Sequence, residues 1–120
     1  MTARIDSLKD RLTRHREINI TVTGRKSGRA ISIPVWFVLD DGKLYLLPVQ
    51  GSDTQWYKNV QKEPSIRIDV GDDVAESQVV LLTDARQVAS VVEKFRAKYG
   101  TNDVKKYYSK FDVAVLARVR

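Results

Sequence analysis

Cysteine is absent from this chain of 120 residues, and histidine and methionine occur once each. The missing thiols exclude a disulfide scaffold, a thiolate nucleophile and any zinc or iron–sulfur site built on cysteine. One histidine, His15, excludes a multi-histidine metal centre. No stretch approaches the roughly 18 apolar residues of a membrane span. The N-terminus lacks the charged-then-apolar pattern of a secretory signal. These absences lead to the expectation of a soluble, cytoplasmic protein. Apolar residues make up 42% and charged residues 30%, which is a globular and not a disordered balance. The length suits one domain over residues 1–120.

The formal net charge is +6, and it is unevenly spread. Residues 1–30 hold eight Lys/Arg against three Asp/Glu, and residues 91–120 hold eight against three. Residues 31–90 reverse the sign, with five against nine. Basic ends around an acidic middle suit a phosphate-bearing partner, either nucleic acid or a small anionic ligand.

The periodicity predicts an amphipathic helix over residues 4–15, from Ile5, Leu8 and Leu12. His15 falls at its end as a solvated residue. Strands are predicted around Ile18–Val22, Ile31–Leu39, Leu44–Val49, Ser65–Val70, Ala75–Leu82 and Val113–Val119. Asp41-Gly42 signals a tight hairpin, and Gly71-Asp72-Asp73 another turn. A short helix is expected over Thr54–Lys62, capped by Ser52 or Asp53. A longer one spans 84–99, capped by Thr83 or Asp84 and ended by Gly100. Residues 103–109 read as a short helical or irregular stretch. The class is α+β, with about six mainly antiparallel strands forming a small barrel beside two to three helices.

Four features bear on chemistry. Gly24-Arg25-Lys26-Ser27-Gly28-Arg29 places glycines, cations and a hydroxyl between two strands, the combination that holds a phosphate. Gln55-Trp56-Tyr57-Lys58-Asn59-Val60 puts Trp56 and Val60 on one helix face, with Asn59 beside them and Tyr57 elsewhere. Pro34 inside a strand implies an edge or bulge, where an unpaired backbone could meet a flat ring. Tyr107 and Tyr108, among Lys105, Lys106 and Lys110, suggest one packed and one exposed aromatic. Catalysis by a serine triad would require His15, which has no nucleophile motif near it. Asp72, Asp73 and Glu76 read as solvated and form no metal site.

Taken in order, the G-R-K-S-G run at 24–28, Ile33-Pro34-Val35, Asp41-Gly42, Trp56-Tyr57-Lys58-Asn59 and Pro64 resemble the deazaflavin (F420)-dependent nitroreductase family. That family lies within the flavin-reductase and pyridoxamine phosphate oxidase-like split barrels. The resemblance implies a split β-barrel with a coenzyme groove. It implies that Arg25, Lys26, Ser27, Gly28 and Arg29 receive the coenzyme phosphate through side chains and loop amides. Ile33, Pro34, Val35 and Trp36 would lie against the ring. Pro48, Val49, Gln50, Gly51 and Ser52 would touch the coenzyme, Trp56 would pack near the ring, and Asn59 would support that helix. The implied reaction is hydride transfer from F420 to a quinone or nitroaromatic, with Tyr107 and Tyr108 on the substrate side. The implied assembly is a homodimer, without nucleic acid or a transmembrane segment. An FMN-binding split barrel and a non-catalytic cofactor-binding protein are the alternatives. A basic nucleic-acid-binding barrel is more remote, since no recognised nucleic-acid motif is present.

Overall fold

In this computed structural model, which describes Leu12 and residues 15–70 and 73–118, alternating side chains build six strands. They are β1 (Glu17–Thr23), β2 (Ala30–Asp40), β3 (Lys43–Leu46), β4 (Ser65–Val70), β5 (Asp73–Leu82) and β6 (Ala114–Arg118). Every adjacent pair is antiparallel, and the sheet closes in the order β1-β2-β3-β6-β5-β4. The expected helix at 4–15 lies outside the described residues apart from Leu12 and His15, as does the turn at 71–72.

The barrel interior is filled from one face of each strand. Ile18, Ile20 and Val22 of β1 meet Phe37, Leu44, Leu46, Ile66, Ile68, Val115 and Ala117. The hairpin between β2 and β3 turns at Asp41 and Gly42, both with positive φ (53° and 74°), as the Asp-Gly pair requires.

Among the described residues three full helices lie outside the barrel: α1 (Gln55–Lys62), α2 (Ala85–Tyr99) and α3 (Thr101–Tyr107). The cap of α2 is Asp84, whose carboxylate accepts the Gln87 N–H at 3.4 Å. The expected capping of α1 by Ser52 or Asp53 is not what forms. Gly51–Asp53 wind into a 3-10 turn, and Thr54 holds the N-cap position with its hydroxyl turned to the Gln50 N–H. Tyr57 is fully buried against the barrel core. The apolar stripe of α2 (Val88, Val91, Val92, Phe95, Tyr99) packs over Trp36, Val38, Tyr45 and Leu116 on the outer barrel face.

The third strand stops short. The sequence predicts it through Val49, but pairing ends at Leu46, which faces Phe37. Pro48 follows, and the chain turns away into the 3-10 turn and α1. Strand β2 therefore pairs with β1 over residues 30–36 and with β3 over residues 37–40. The flank of its first half that faces away from β1 has no neighbouring strand among the described residues. This gap explains why Ile31 is exposed and Ile33 and Val35 only half-buried, although their alternation predicts an inward face.

Candidate functional site

The gap beside β2 is a cavity of about 470 Å³, within the range of small-molecule sites. Ile33, Pro34, Val35 and Trp36 form its β2 wall. Leu47 and Val49 line it from the segment that leaves β3, and Trp56 reaches it from the first turn of α1. Tyr107 and Tyr108 close the side nearest α3, and Glu17 stands at the end of β1. Eight residues expected from the sequence at a ring or substrate are thus brought together: Ile33, Pro34, Val35, Trp36, Val49, Trp56, Tyr107 and Tyr108.

The parity of β2 determines which backbone groups face this gap. The Phe37 N–H donates to Tyr99 Oη at 3.0 Å, and the same hydroxyl lies 2.6 Å from the Arg16 carbonyl and 2.8 Å from the Phe37 carbonyl. Tyr99 therefore takes the place of the next rung after Glu17↔Trp36. Odd residues of β2 point their main-chain groups to β1, and even residues point theirs to the open side. Pro34 belongs to the even set, so its missing N–H costs no ladder bond. The Pro34 carbonyl and the Trp36 N–H are left for a ligand edge, while the Trp36 carbonyl belongs to the last rung with the chain leaving β3.

The walls are aromatic. Trp36 stacks on Tyr99 (4.2 Å, 10°) and meets Tyr107 edge-on at 5.5 Å. Tyr107 is 52% exposed and Tyr108 only 6%, the division expected for the pair. The Tyr108 hydroxyl has no hydrogen-bond partner among the described residues. Burial raises its pKa, so the hydroxyl stays protonated and is available as a donor and not as a base.

The remaining predicted residues lie off the cavity. Pro48 is buried behind it, and Gln50 pairs with Lys110 across an isolated bridge. Gly51 and Ser52 face Asp112, whose carboxylate accepts the Ser52 N–H at 2.9 Å and hydroxyl at 2.6 Å. Burial alone would raise the Asp112 carboxyl, but the Ser52 bonds and the Lys110 charge hold it below its usual value. This clasp, with the Ser109 N–H on the Val49 carbonyl at 2.8 Å, ties the two segments that carry Val49 and Tyr108.

Loop 24–29 is folded on itself. The Gly24 N–H donates to the Arg29 carbonyl at 2.8 Å, Gly28 N–H to the Gly24 carbonyl at 2.9 Å, and Arg29 N–H to Ser27 Oγ at 3.2 Å. Arg25 N–H goes to Asn59. The expected cradle of loop amides is thus largely spent internally, and the N–H groups of Lys26 and Ser27 remain. The side chains of Lys26 and Arg29 are exposed, with no ion pair or hydrogen bond among the described residues. Gly28 takes the positive φ (73°) that lets the loop close.

A family profile described as "Uncharacterized protein conserved in bacteria (DUF2255)" matches residues 9–116. The chain belongs to this family. No curated protein matches it. Among solved structures, an F420-H2-dependent reductase (FDR-A) is 20% identical, with a TM-score of 0.68 over 87% of this chain and 95% of that one. A domain-swapped dimer is 19% identical, with a TM-score of 0.68 over 98% of both chains. The heme storage protein HutZ from Vibrio cholerae is 11% identical, with a TM-score of 0.71 over 96% of this chain and 89% of that one. These likenesses establish the split-barrel fold, and with it a fold that hosts cofactors of more than one kind.

Three residues of the DUF2255 chain that matter at the cavity escape sequence reasoning: Glu17, Leu47 and Tyr99. Glu17 could have been found from register, because its place opposite Trp36 puts both side chains on one face. Tyr99 reads only as an apolar helix position, and its bonds reach 62 and 83 residues away.

Beside it, Lys98 donates to the Phe37 carbonyl at 2.8 Å, with its ammonium 3.5 Å from the centre of the Phe37 ring. Burial, then the Arg16 charge, pushes its pKa down to about 8 from 10.5. Burial pushes Tyr99 up to about 12 from 10.0. Between pH 8 and 10 the unfolded chain binds more protons at Lys98, so stability rises with pH. Above pH 10 the unfolded chain releases the Tyr99 proton first, so stability falls. Thermal unfolding across pH 7–12 should show that maximum, and Lys98→Met should abolish the rise between pH 8 and 10. A rise that persists in the variant contradicts the assignment.

Proposed function

We propose that the cavity binds the ring of a flavin-like coenzyme, F420 in the first instance, and that the protein is an oxidoreductase of the split-barrel class. The observation that carries this reading is the flat aromatic slot along β2, with the Pro34 carbonyl and the Trp36 N–H on one edge and the 24–29 loop at the start of the same strand. Four to five residues separate Arg29 from Ile33 and Pro34, or about 13–17 Å of extended chain. A ring system with a phosphorylated side chain, laid along β2, spans that interval. Lys26 and Arg29 then meet the phosphate, with Ser27 and Gly28 shaping the loop.

The bound coenzyme supplies a two-electron hydride transfer to an electron-poor acceptor such as a quinone or nitroaromatic. The chain's part is to bind, orient and exclude water. Trp36 and Trp56 confine the ring, and the Pro34 carbonyl and the Trp36 N–H fix its edge. Tyr108 donates a hydrogen bond toward the acceptor, and the exposed Tyr107 covers the mouth. Val49 holds the opposite wall, kept in place by Pro48, Gln50, Gly51 and Ser52.

FMN satisfies the same wall and the same cations, and is the second coenzyme to test. Heme fits less well, because the described lining offers its iron no imidazole, thiolate or thioether, and of its two phenols burial keeps Tyr108 protonated while Tyr107 is exposed at the mouth. A homodimer completes the reading, supported by the domain-swapped neighbour.

Titration with oxidised F420 and separately with FMN, followed by ligand fluorescence, tests this function. At least one should bind at micromolar concentration, and protein should accelerate the oxidation of its reduced form by a quinone or nitroaromatic above the protein-free rate. Lys26→Ala and Arg29→Ala should each weaken binding by about 1.5–3 kcal/mol, the range for hydrogen bonds to charged groups. Unchanged affinity in both variants refutes the phosphate loop. Binding without turnover of any quinone or nitroaromatic leaves a cofactor-binding protein in place of the enzyme.

A further inference from the structure

Asn59 is polar and only 5% exposed, and one of its oxygens anchors the cationic loop. Asn59 Oδ1 accepts the Arg25 main-chain N–H at 3.1 Å and the Arg25 guanidinium at 2.8 Å. The guanidinium also donates to Gln55, at 2.8 Å to the side-chain oxygen and 3.4 Å to the carbonyl. Lys62 Nζ donates to the Arg25 carbonyl at 3.1 Å. Positions 55, 59 and 62 recur at four and three, so one face of α1 grips Arg25 at its amide, its carbonyl and its side chain.

The chemistry of that grip is informative. A structural clamp for arginine is commonly a carboxylate, which supplies a bidentate partner and neutralises the charge. Here every acceptor is a neutral amide oxygen, and the third gripping side chain is a lysine. No carboxylate among the described residues pairs with Arg25. The loop is therefore fixed in shape while its positive charge is retained beside the free side chains of Lys26 and Arg29.

We propose that Asn59 is a positioning residue for anion recognition: it holds Arg25, and through it the 24–29 loop, without neutralising the loop. Arg25 then acts as a fixed source of positive potential and not as a direct phosphate ligand, unlike Lys26 and Arg29. The proposal rests on the coenzyme reading above, and deepens it by separating the group that shapes the loop from the groups that touch the phosphate.

The decisive variant is Asn59→Asp, which keeps the acceptor oxygen and adds the missing negative charge. The full chain and this variant are titrated with F420 and FMN and with the phosphate-free chromophores, deazaflavin ribitol and riboflavin. Urea unfolding is measured alongside. The expected result is unchanged or higher stability, unchanged binding of the phosphate-free chromophores, and a loss of roughly tenfold or more for the phosphorylated coenzyme, from a new charge facing the loop. A merely structural Asn59 predicts that Asn59→Asp, with its bonds to Arg25 intact, binds all four as wild type does. That result overturns the proposal alone. If neither phosphorylated coenzyme binds the wild-type chain, the coenzyme reading fails and the proposal falls with it. Asn59→Ala serves as the second variant: it should weaken the phosphorylated ligand more than the phosphate-free one, and an equal loss of both overturns the positioning role.

Discussion

Gly51→Ala is expected to lower stability by about 3 kcal/mol and to loosen one wall of the cavity. The backbone at Gly51 has φ of 55°, and an L side chain there costs about 1–2 kcal/mol. The added Cβ would stand 2.1 Å from Asp112 Oδ1, so the carboxylate must leave. Its departure breaks two hydrogen bonds to Ser52, each about 1.5–3 kcal/mol when one partner is charged, partly recovered by solvation. The segment that carries Val49 then keeps the Ser109 and Thr54 bonds, the Gln50–Lys110 bridge and the Asp53–Lys110 ion pair. Urea unfolding of Gly51→Ala, Asp112→Ala and the double variant checks the cause. If the clash with Asp112 matters, the double variant costs clearly less than the sum of the two. Strict additivity, or a loss below 1 kcal/mol in Gly51→Ala, contradicts the account.

Tyr99→Phe should have a comparable effect from a single oxygen. Its hydroxyl accepts the Phe37 N–H and shares its proton between the Arg16 and Phe37 carbonyls. The phenylalanine keeps the stack on Trp36 but leaves the Phe37 N–H and the Arg16 carbonyl unpaired in a largely dry place. Each unpaired buried group costs about 1–3 kcal/mol, so a loss near 3 kcal/mol is expected. The denaturant slope should not change, because the surface exposed on unfolding is the same. The near-ultraviolet dichroism of the stacked Trp36 should survive. A stability loss under 1 kcal/mol would show that water satisfies this rung equally well.

The barrel was legible because its strands are amphipathic and its turns carry their own chemistry. Ile18, Ile20 and Val22 alternate inward, Asp41-Gly42 closes the hairpin, and Gly100 ends α2 at φ of 94°. Much of the site was legible too, since the aromatics and Pro34 stand out against a chain with few of either. The failures have a common physical origin. Residues 44–49 look like one strand because local alternation runs on past Leu46. Only the path of the chain after Pro48 shows that pairing stops there, and the missing rungs are the cavity itself. The burial of Tyr57 and the bonds of Tyr99 were not legible because their partners lie on distant segments. Arg25 looks like a ligand in the sequence, and only the proximity of α1 reveals it as held by Asn59. The loop amides likewise cannot be counted as free until the turn geometry shows where they point.

The central claim is that one cavity, bounded by β2, the segment from Leu47 to Trp56 and Tyr107-Tyr108, receives the coenzyme ring. The chain has two tryptophans, Trp36 and Trp56, and both line that cavity. Their indole N–H groups give two signals in a nitrogen–proton correlation spectrum, each a reporter on one wall. On addition of F420 or FMN, both signals should shift together and saturate at the same ligand concentration. Two indole signals that stay fixed while either coenzyme is added to millimolar concentration would contradict the claim.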